Sequence, residues 1–411
     1  MKRIALSRLL MACTVVAGVT IAGFLHSEAA SPTTVKPGKG DDLRAAYATA
    51  VEVAEGKRVA EASCASCHGM DGISNTKGAP HLAGQRPAYL HLELRAYQTG
   101  ARGVNAMAGA VKKFLSDDAL ASVAAYYASL DPPQAGAMSG AKATAKPGPL
   151  ESGKAAAARC AGCHADSGVS RVPGTPSLVG LDPKYLVAAM NGYKSGQRKH
   201  DIMKSMLAAV SDADMKNIAL HYALQKPARA QTPVSGDEAA GRAAAAACAG
   251  CHGDQGVSVD PAVPSLAGQD AQYLATALRA YKDGSRNEET MKALVTSLDA
   301  RVIKDLAAFY ATKQPQPPQV RRPLTTVELT QRCDRCHGVN GNSTDPRTPM
   351  LAAQRADYLE KALHAYQTGA RKSSAMVAMS EMLGDVDVEN IAAYYARQKA
   401  RAVAYVTLPC K

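Results

Sequence analysis

The chain has 411 residues and a formal net charge of +12, with ten cysteines, three phenylalanines and no tryptophan. This length predicts two to four domains. The positive charge would suit a nucleic-acid-binding protein, but no lysine-rich tract and no interleaved aromatic residues accompany it. We therefore expect no nucleic-acid partner.

The N-terminus has the features of a secretory signal peptide. Three basic residues precede an apolar run over residues 9–25, and Ser27 and Ala29 form a small-x-small cleavage site. The apolar run is short for a membrane-spanning helix. We therefore predict a cleaved signal peptide over residues 1–30 and a periplasmic mature protein. An uncleaved signal that anchors the protein to the membrane is the alternative.

The pattern C-x-x-C-H then occurs four times. It consists of Cys64, Cys67 and His68; Cys160, Cys163 and His164; Cys248, Cys251 and His252; and Cys333, Cys336 and His337. Two thiols one helical turn apart can bond both vinyl groups of one porphyrin, and the adjacent imidazole can ligate its iron, so the pattern is typical of covalently attached haem c. A zinc site or a redox dithiol shares the C-x-x-C spacing. The first would need further Cys or His ligands, and the second a βαβ context.

The spacing of the motifs predicts four domains. The motifs begin at nearly even intervals along the chain, and we predict cytochrome domains over residues 42–131, 150–226, 237–314 and 324–400. The connectors between them are rich in proline, glycine and small residues, and each domain opens with an alanine-rich helix that runs into its motif. No segment shows a two-residue alternation of apolar and polar residues, so we predict an all-α fold.

Other residues keep a constant offset from the motif histidine in all four repeats. A proline stands at offset +12 and an arginine at offset +34: Pro80, Pro176, Pro264 and Pro349; Arg102, Arg198, Arg286 and Arg371. A methionine stands at offset +39: Met107, Met203, Met291 and Met376. Methionine occupies only 14 positions in the chain, so four at one offset favour a ligand over a residue that merely fills a gap in the core. We predict that each iron has one of these histidines and one of these methionines as axial ligands.

The order of these features resembles that of class I cytochrome c domains. The detail is similar to the cytochrome c4 family of tandem dihaem proteins, whose run Cys-His-Gly…Pro-x-Leu-Ala-Gly-Gln…Tyr-Leu…Tyr-x-x-Gly-x-Arg…Met is nearly complete in repeats 1 and 3. Repeat 2 departs from it at Ala165 and Leu181, and repeat 4 at Ala353. The resemblance covers nearly all of residues 42–400, although four repeats in place of two is itself a departure.

The resemblance also implies roles for the prolines and arginines at constant offsets. The proline carbonyls would accept the Nδ1 proton of the ligand histidines and so orient their rings. The arginines would lie near the haem propionates, and a solvated surface arginine is the alternative. Which repeats pair with each other stays open at this point.

We therefore expect an exported tetrahaem cytochrome, with four covalently bound haem c groups, that carries single electrons between respiratory partners. Such partners are a terminal oxidase, a quinol–cytochrome c reductase or a dehydrogenase. His/Met ligation leaves no coordination position open for a substrate, so we expect a carrier and not an enzyme. The alternatives are a permanent cytochrome subunit of a membrane complex, and a multihaem peroxidase or sulfur-oxidising enzyme. In the enzyme, repeat 2 would be the active unit, because its pocket is altered and His200 is a nearby acid–base group.

Overall fold

The computed structural model describes residues 43–103, 106–114, 116–135 and 145–405. The predicted signal peptide lies outside these ranges, as do Cys13 and Cys410. All regular structure in the described ranges is helical, apart from one isolated bridge between Arg198 and Arg286. The all-α prediction is confirmed. No helix in these ranges has the length and apolar character needed to cross a membrane.

Repeats 1 and 2 have the same succession of helices. Repeat 1 contains α1 (Ala50–Ser63), α2 (Ala65–His68), α3 (Pro87–Gln98), α4 (Ala106–Phe114) and α5 (Asp117–Ser129), after a 3₁₀ turn at Arg44–Tyr47. Repeat 2 contains α6 (Pro149–Ala157), α7 (Ala161–His164), α8 (Pro183–Ser195), α9 (Asp201–Leu207) and α10 (Asp212–Ala223).

Repeats 3 and 4 continue this succession with small differences. Repeat 3 contains α11 (Glu238–Ala244), a 3₁₀ turn at Ala245–Ala247, α12 (Ala249–His252), α13 (Ala271–Asp283), α14 (Glu289–Val295) and α15 (Ala300–Thr312). Repeat 4 contains α16 (Thr326–His337), a 3₁₀ turn at Val339–Gly341, α17 (Ala356–Gln367), α18 (Ser374–Ser380) and α19 (Asp385–Ala396). Its first helix therefore runs through the C-x-x-C-H motif without a break.

Local sequence explains where the last helix of each repeat begins. The side chains of Ser116, Ser211 and Asp299 accept hydrogen bonds from backbone N–H groups in the first turns of α5, α10 and α15. Such N-caps satisfy donors that have no partner inside the helix. In repeat 4, α19 begins at Asp385, and Asp387 Oδ2 accepts from the N–H of Gly384 at 3.1 Å.

The first and last helices of each repeat pack against each other. In repeat 3 they approach closely at Gly241, where a Cβ atom would lie 2.0 Å from the carbonyl oxygen of Asp305. Gly56 and Gly153 hold the same place in repeats 1 and 2. The last helix of every repeat also has a buried tyrosine, whose exposed fraction is 1–3%: Tyr127, Tyr222, Tyr310 and Tyr395. The glycine at this crossing thus allows the first and last helices of the repeat to pack in close contact.

The repeats pair in a nested order, 1 with 4 and 2 with 3, and all belong to one compact unit. We call repeats 1 and 4 the outer pair and repeats 2 and 3 the inner pair. In the outer pair, the Gln85 amide donates to the carbonyl of Met350 at 2.9 Å and accepts from its N–H at 2.7 Å. Gln354 makes the same two contacts with the backbone of His81, at 2.9 Å and 2.8 Å.

The inner pair has only one such bridge. Gln269 accepts from the N–H of Ser177 at 2.6 Å and donates to its carbonyl at 2.9 Å. In repeat 2 the matching position holds Leu181, whose side chain cannot return the contact. Because repeat 2 departs from the family run at this position, the inner pair has one glutamine bridge where the outer pair has two. Backbone contacts add to it, since Lys199 donates to the carbonyl of Ser285 and Asn287 to that of Gln197, both at 2.8 Å.

His81 is a neutral residue buried in the contact of the outer pair. It is 5% exposed, and its Nδ1 accepts from the N–H of Ser74 at 2.9 Å. Burial, together with the positive charge of Arg355, lowers the pKa of His81 to about 4. The inner pair has Ser177 at this position, and its hydroxyl accepts from the N–H of Ser170.

We predict that the outer pair loses stability as the pH falls from about 6.5 to about 4. The pKa of His81 is lower in the folded chain than in the unfolded chain, so the unfolded state takes up the proton first and is favoured over this range. The cost reaches on the order of 3 kcal/mol at most. His81→Ser, which copies the inner pair, should remove most of this dependence of the urea midpoint on pH. An unchanged pH dependence in the variant would show that another group is responsible.

Candidate haem-binding sites

Each C-x-x-C-H motif presents a buried histidine whose ring is fixed by a proline carbonyl. The Nδ1 atoms of His68, His164, His252 and His337 lie 3.0, 2.9, 2.8 and 2.9 Å from the carbonyl oxygens of Pro80, Pro176, Pro264 and Pro349. A carbonyl can only accept, so Nδ1 carries the proton and Nε2 keeps its lone pair. Burial lowers the pKa of each histidine, against the smaller opposing effect of the carbonyl. These rings are therefore neutral and can ligate a metal through Nε2.

The cysteines of the motifs differ in exposure in a regular way. The first cysteine of each motif is half-buried and the second is exposed, and none of these eight thiols is in a disulfide. Burial raises the pKa of the first thiol in every repeat. The first thiol of each motif is therefore protonated, and both thiols lie within one helical turn of the buried imidazole.

The four methionines lie in the first turn of a short helix, which fixes their backbone. Met203, Met291 and Met376 are each the third residue of α9, α14 and α18. Their N–H groups donate to capping side chains: to His200 at 3.3 Å, to Glu288 at 2.6 Å and to Ser373 at 3.4 Å. Met107 is the second residue of α4 and is half-buried, like the other three.

In repeat 3 the predicted site residues line one cavity of about 600 Å³. Cys248, Cys251, His252, Pro264 and Met291 all form part of its wall. Most of the remaining wall is apolar, with Leu274 and Leu278 from α13. This volume and character are typical of a pocket for a bulky apolar cofactor.

A second observation in this cavity points to the same cofactor. The hydroxyl of Tyr310, which lines it, is buried beside the thiol of Cys248 and makes no hydrogen bond of normal geometry with any described residue. Orphaned buried hydroxyls are rare unless a bound group provides for them. Haem attached to the two thiols, with His252 on its iron, fits the donor set and the apolar wall.

The other repeats agree in part. In repeat 2, Met203 packs beside Cys160 against the core formed by Tyr185 and Leu186. The rival methionine of that repeat, Met206, is 41% exposed. A zinc site would need at least three gathered His, Cys, Asp or Glu side chains, and no such cluster occurs in the part of the chain that the structure describes.

The four arginines lie between paired repeats and not on the open surface. Arg286 and Arg371 are only 6% and 7% exposed. Each arginine stacks on a tyrosine of its own repeat, with centroid distances of 4.5 to 5.7 Å: Tyr97, Tyr193, Tyr281 and Tyr366. Arg286 and its partner Arg198, from repeat 2, both line the cavity of repeat 3. A solvated arginine, the alternative from the sequence, is therefore wrong for these positions.

The sequence analysis missed Glu93, which ion-pairs with Arg102 at 2.5 Å and also with Arg371. A signal for it existed, because the other three repeats have alanine at the same offset from the motif histidine: Ala189, Ala277 and Ala362. His81 also lies in the contact between repeats, and no sequence pattern singled it out. His200, the acid–base candidate of repeat 2, caps α9 with its Nδ1 atom.

Ala165, which follows the ligand histidine of repeat 2, has a strained backbone. Its φ is 58° and its ψ 158°, whereas the other repeats place glycine there at φ 74° to 82°. This region is accessible almost only to glycine, and a side chain there costs about 1–3 kcal/mol. The departure from the family run thus stores strain next to His164.

We predict that Ala165→Gly stabilises the holoprotein by about 1 kcal/mol or more. The reciprocal change, Gly253→Ala in repeat 3, should destabilise it, because the new Cβ atom would lie 2.3 Å from the carbonyl oxygen of Val257. Urea unfolding at equal haem content measures both. Destabilisation by Ala165→Gly would contradict the strain.

Comparison with known proteins finds similarity to c-type cytochromes. The sequence profile of the family described as Cytochrome c matches residues 53–131 and 238–312. Cytochrome c4 of Pseudomonas aeruginosa is 34% identical over 172 residues, which is 39% of this chain and 86% of that protein. A thiosulfate dehydrogenase electron acceptor of Stutzerimonas stutzeri is 35% identical over 38% of this chain and 79% of its own length. The crystal structure of reduced recombinant cytochrome c4 from Pseudomonas stutzeri is 27% identical, with a TM-score of 0.37 over 40% of this chain and 98% of that one.

The motifs and the comparisons together establish the cofactor and the family. The four C-x-x-C-H motifs hold covalently bound haem c, one group for each motif. The extent and identity of the match show the relationship. The chain belongs to the cytochrome c4 family of class I c-type cytochromes, which function in electron transfer.

Proposed function

We propose that this protein is a periplasmic tetrahaem electron carrier that passes single electrons between respiratory redox partners. The observation that supports this most strongly is the constant register of histidine and methionine in four repeats. In repeat 3 that register places His252 and Met291 on the wall of one cavity, beside the two cysteines. Four cytochrome domains, over residues 42–131, 150–226, 237–314 and 324–400, and a signal peptide over residues 1–30 are part of this proposal.

The axial ligands that we propose are the four histidine–methionine pairs: His68 and Met107, His164 and Met203, His252 and Met291, and His337 and Met376. Haem c ligated in this way supplies reversible one-electron transfer at its edge, and a thioether opposite an imidazole favours ferrous iron. The protein orients each imidazole through a proline carbonyl and fixes Met203, Met291 and Met376 through side-chain helix caps. The wall of the repeat 3 cavity is mostly apolar, and we propose that the four arginines lie near the propionates.

We infer that a periplasmic dehydrogenase or a quinol–cytochrome c reductase is the electron donor, with a terminal oxidase as the electron acceptor. Two relatives that are 35% and 30% identical carry the name thiosulfate dehydrogenase electron acceptor. Their names support a donor of the dehydrogenase class. A permanent cytochrome subunit of such a complex would use the same chemistry and differ only in how long it stays bound.

An enzyme is the second candidate, and it needs one iron with a replaceable ligand and a nearby acid–base group. His200 in repeat 2 was the residue that could have played this part. Its Nδ1 atom instead accepts from the N–H of Met203, so the residue positions the methionine. A carrier is the function that this arrangement supports best.

We predict that Met291→Ala removes the thioether-to-iron charge-transfer band of one haem out of four and lowers the midpoint potential of that haem. The physical reason is the loss of a sulfur ligand that favours ferrous iron. Visible spectra and a redox titration of the mature holoprotein measure both effects. Met206→Ala is the matched control, since that methionine is exposed and lies off the common offset, and it should change neither.

The same variant separates a carrier from an enzyme. Met291→Ala should gain peroxide turnover, because it opens a coordination position, while the native protein should show none above the level of free haem. An unchanged band and potential in Met291→Ala would refute the ligand assignment. Peroxide turnover by the native protein would instead favour the enzyme.

A further inference from the structure

The inner and outer pairs differ in the charge buried where their repeats meet. In the inner pair, Arg198 and Arg286 lie across the contact from each other, joined by the backbone bridge between these two residues. Arg286 donates to the hydroxyl of Tyr273 at 3.0 Å, and Arg198 to that of Tyr185 at 3.5 Å. The largest electrostatic influences on the two guanidiniums come from each other and from the surrounding tyrosines. In the described residues neither guanidinium forms an ion pair with a carboxylate, unlike Arg102 and Arg371 of the outer pair.

The outer pair differs in two ways: its arginines donate to tyrosines of the opposite repeat, and one carboxylate lies among them. Arg102 donates to the hydroxyl of Tyr358 at 3.1 Å, and Arg371 to that of Tyr89 at 2.9 Å, so each reaches a tyrosine of the opposite repeat. Glu93 lies between the two guanidiniums and forms an ion pair with both. The outer cluster therefore has one net positive charge, whereas the inner cluster has two.

By analogy with repeat 3, we infer that Glu93 faces the haem cavity of repeat 1. Glu93 stands at the same offset from His68 as Ala277 does from the motif histidine of repeat 3. Ala277 lines the cavity that holds Cys248, His252 and Met291. The side chain of Glu93 is 21% exposed and the side chains of its two arginines 13% and 8%, so solvent screens these charges only in part.

Another carboxylate lies on the cavity wall of repeat 3, but its setting differs. Glu288 is exposed, and its oxygens accept from the N–H groups of Thr290 and Met291 at 3.2 Å and 2.6 Å. Water and the helix N-terminus therefore compensate its charge. Glu93 is less exposed, and its carboxylate pairs with the two arginines instead of with a helix N-terminus.

We propose that Glu93 makes the outer pair the low-potential pair of this protein. The proposal rests on the proposed function, because it requires haem at the four C-x-x-C-H motifs. A negative charge beside a redox centre stabilises the oxidised form, which has one more positive charge than the reduced form. Two uncompensated arginines act in the opposite direction and raise the potentials of the inner pair.

This difference in midpoint potential between the two pairs gives electron transfer through the protein a direction. An electron delivered by an external donor to the outer pair moves on to the inner pair, which oxidises one outer site and reduces one inner site. At equilibrium the first electrons to enter the protein therefore reside in repeats 2 and 3. Electrons therefore enter the protein at the outer pair and are stored at the inner pair.

The test is a spectroscopically monitored redox titration of the mature holoprotein, in which each site gives a midpoint potential. Glu93→Gln keeps the size of the side chain and removes its charge. It should shift the two lowest midpoints upward and leave the two highest in place. Glu93→Ala, which copies the other three repeats, serves if the glutamine variant does not accumulate with four haems. Ala277→Glu, which adds a carboxylate to the inner pair, should shift one or both of the two highest midpoints downward.

Two outcomes would overturn the proposal: no shift in the Glu93 variants, or a shift confined to the two highest midpoints. Either result would still show four reversible one-electron steps, so the proposed function would stand. A native protein with fewer than four such steps would refute the tetrahaem carrier itself. The two failures are therefore distinguishable in one experiment.

Discussion

The hydrogen bonds between the Gln354 side chain and the backbone of His81 represent the constraint on which this structure depends. Together with the matching bridge from Gln85 to Met350, they join repeat 1 to repeat 4. Because these side-chain amides bond to backbone groups, they fix the position and orientation of repeat 1 relative to repeat 4. The placement brings the arginines of both repeats together in one buried cluster.

The nested order has a cost that the contacts can offset. The outer contacts join residues 273 positions apart, whereas the inner contacts join residues 92 positions apart. A loop about three times longer adds roughly 1 kcal/mol of closure entropy. One further glutamine bridge, with two buried hydrogen bonds at about 0.5–1.5 kcal/mol each, is enough to balance it. Leu181, which removes the second bridge from the inner pair, is tolerated where the loop is short.

Much of each repeat could be predicted from the sequence, because the signals are local. The motif, the proline shortly after it and the N-caps Ser116, Ser211 and Asp299 each act within a few turns of chain. The helices follow from them. The histidine–proline contacts were implied by the resemblance to class I cytochromes, and all four are present. The ligand role of the methionines stays a prediction, although Met291 does lie on the cavity wall with His252.

The pairing could not be predicted, because it depends on contacts between distant parts of the chain. Nothing near Gln85 indicates that it contacts Met350, and nothing near His81 indicates that burial at this contact lowers its pKa to about 4. Glu93 was visible only as a difference between aligned repeats. Its role is evident only from its ion pairs with two arginines, one of which belongs to repeat 4.

The nested pairing is tested most directly by cutting the holoprotein at two engineered protease sites, one within residues 136–144 and one within residues 319–322. The cuts separate repeat 1, the central repeats 2 and 3, and repeat 4 as three chains. Native mass spectrometry then shows which chains remain together. Nested pairing predicts that repeat 1 is recovered in a complex with repeat 4. Recovery of repeat 1 without repeat 4, either alone or bound only to the central chain, would contradict it.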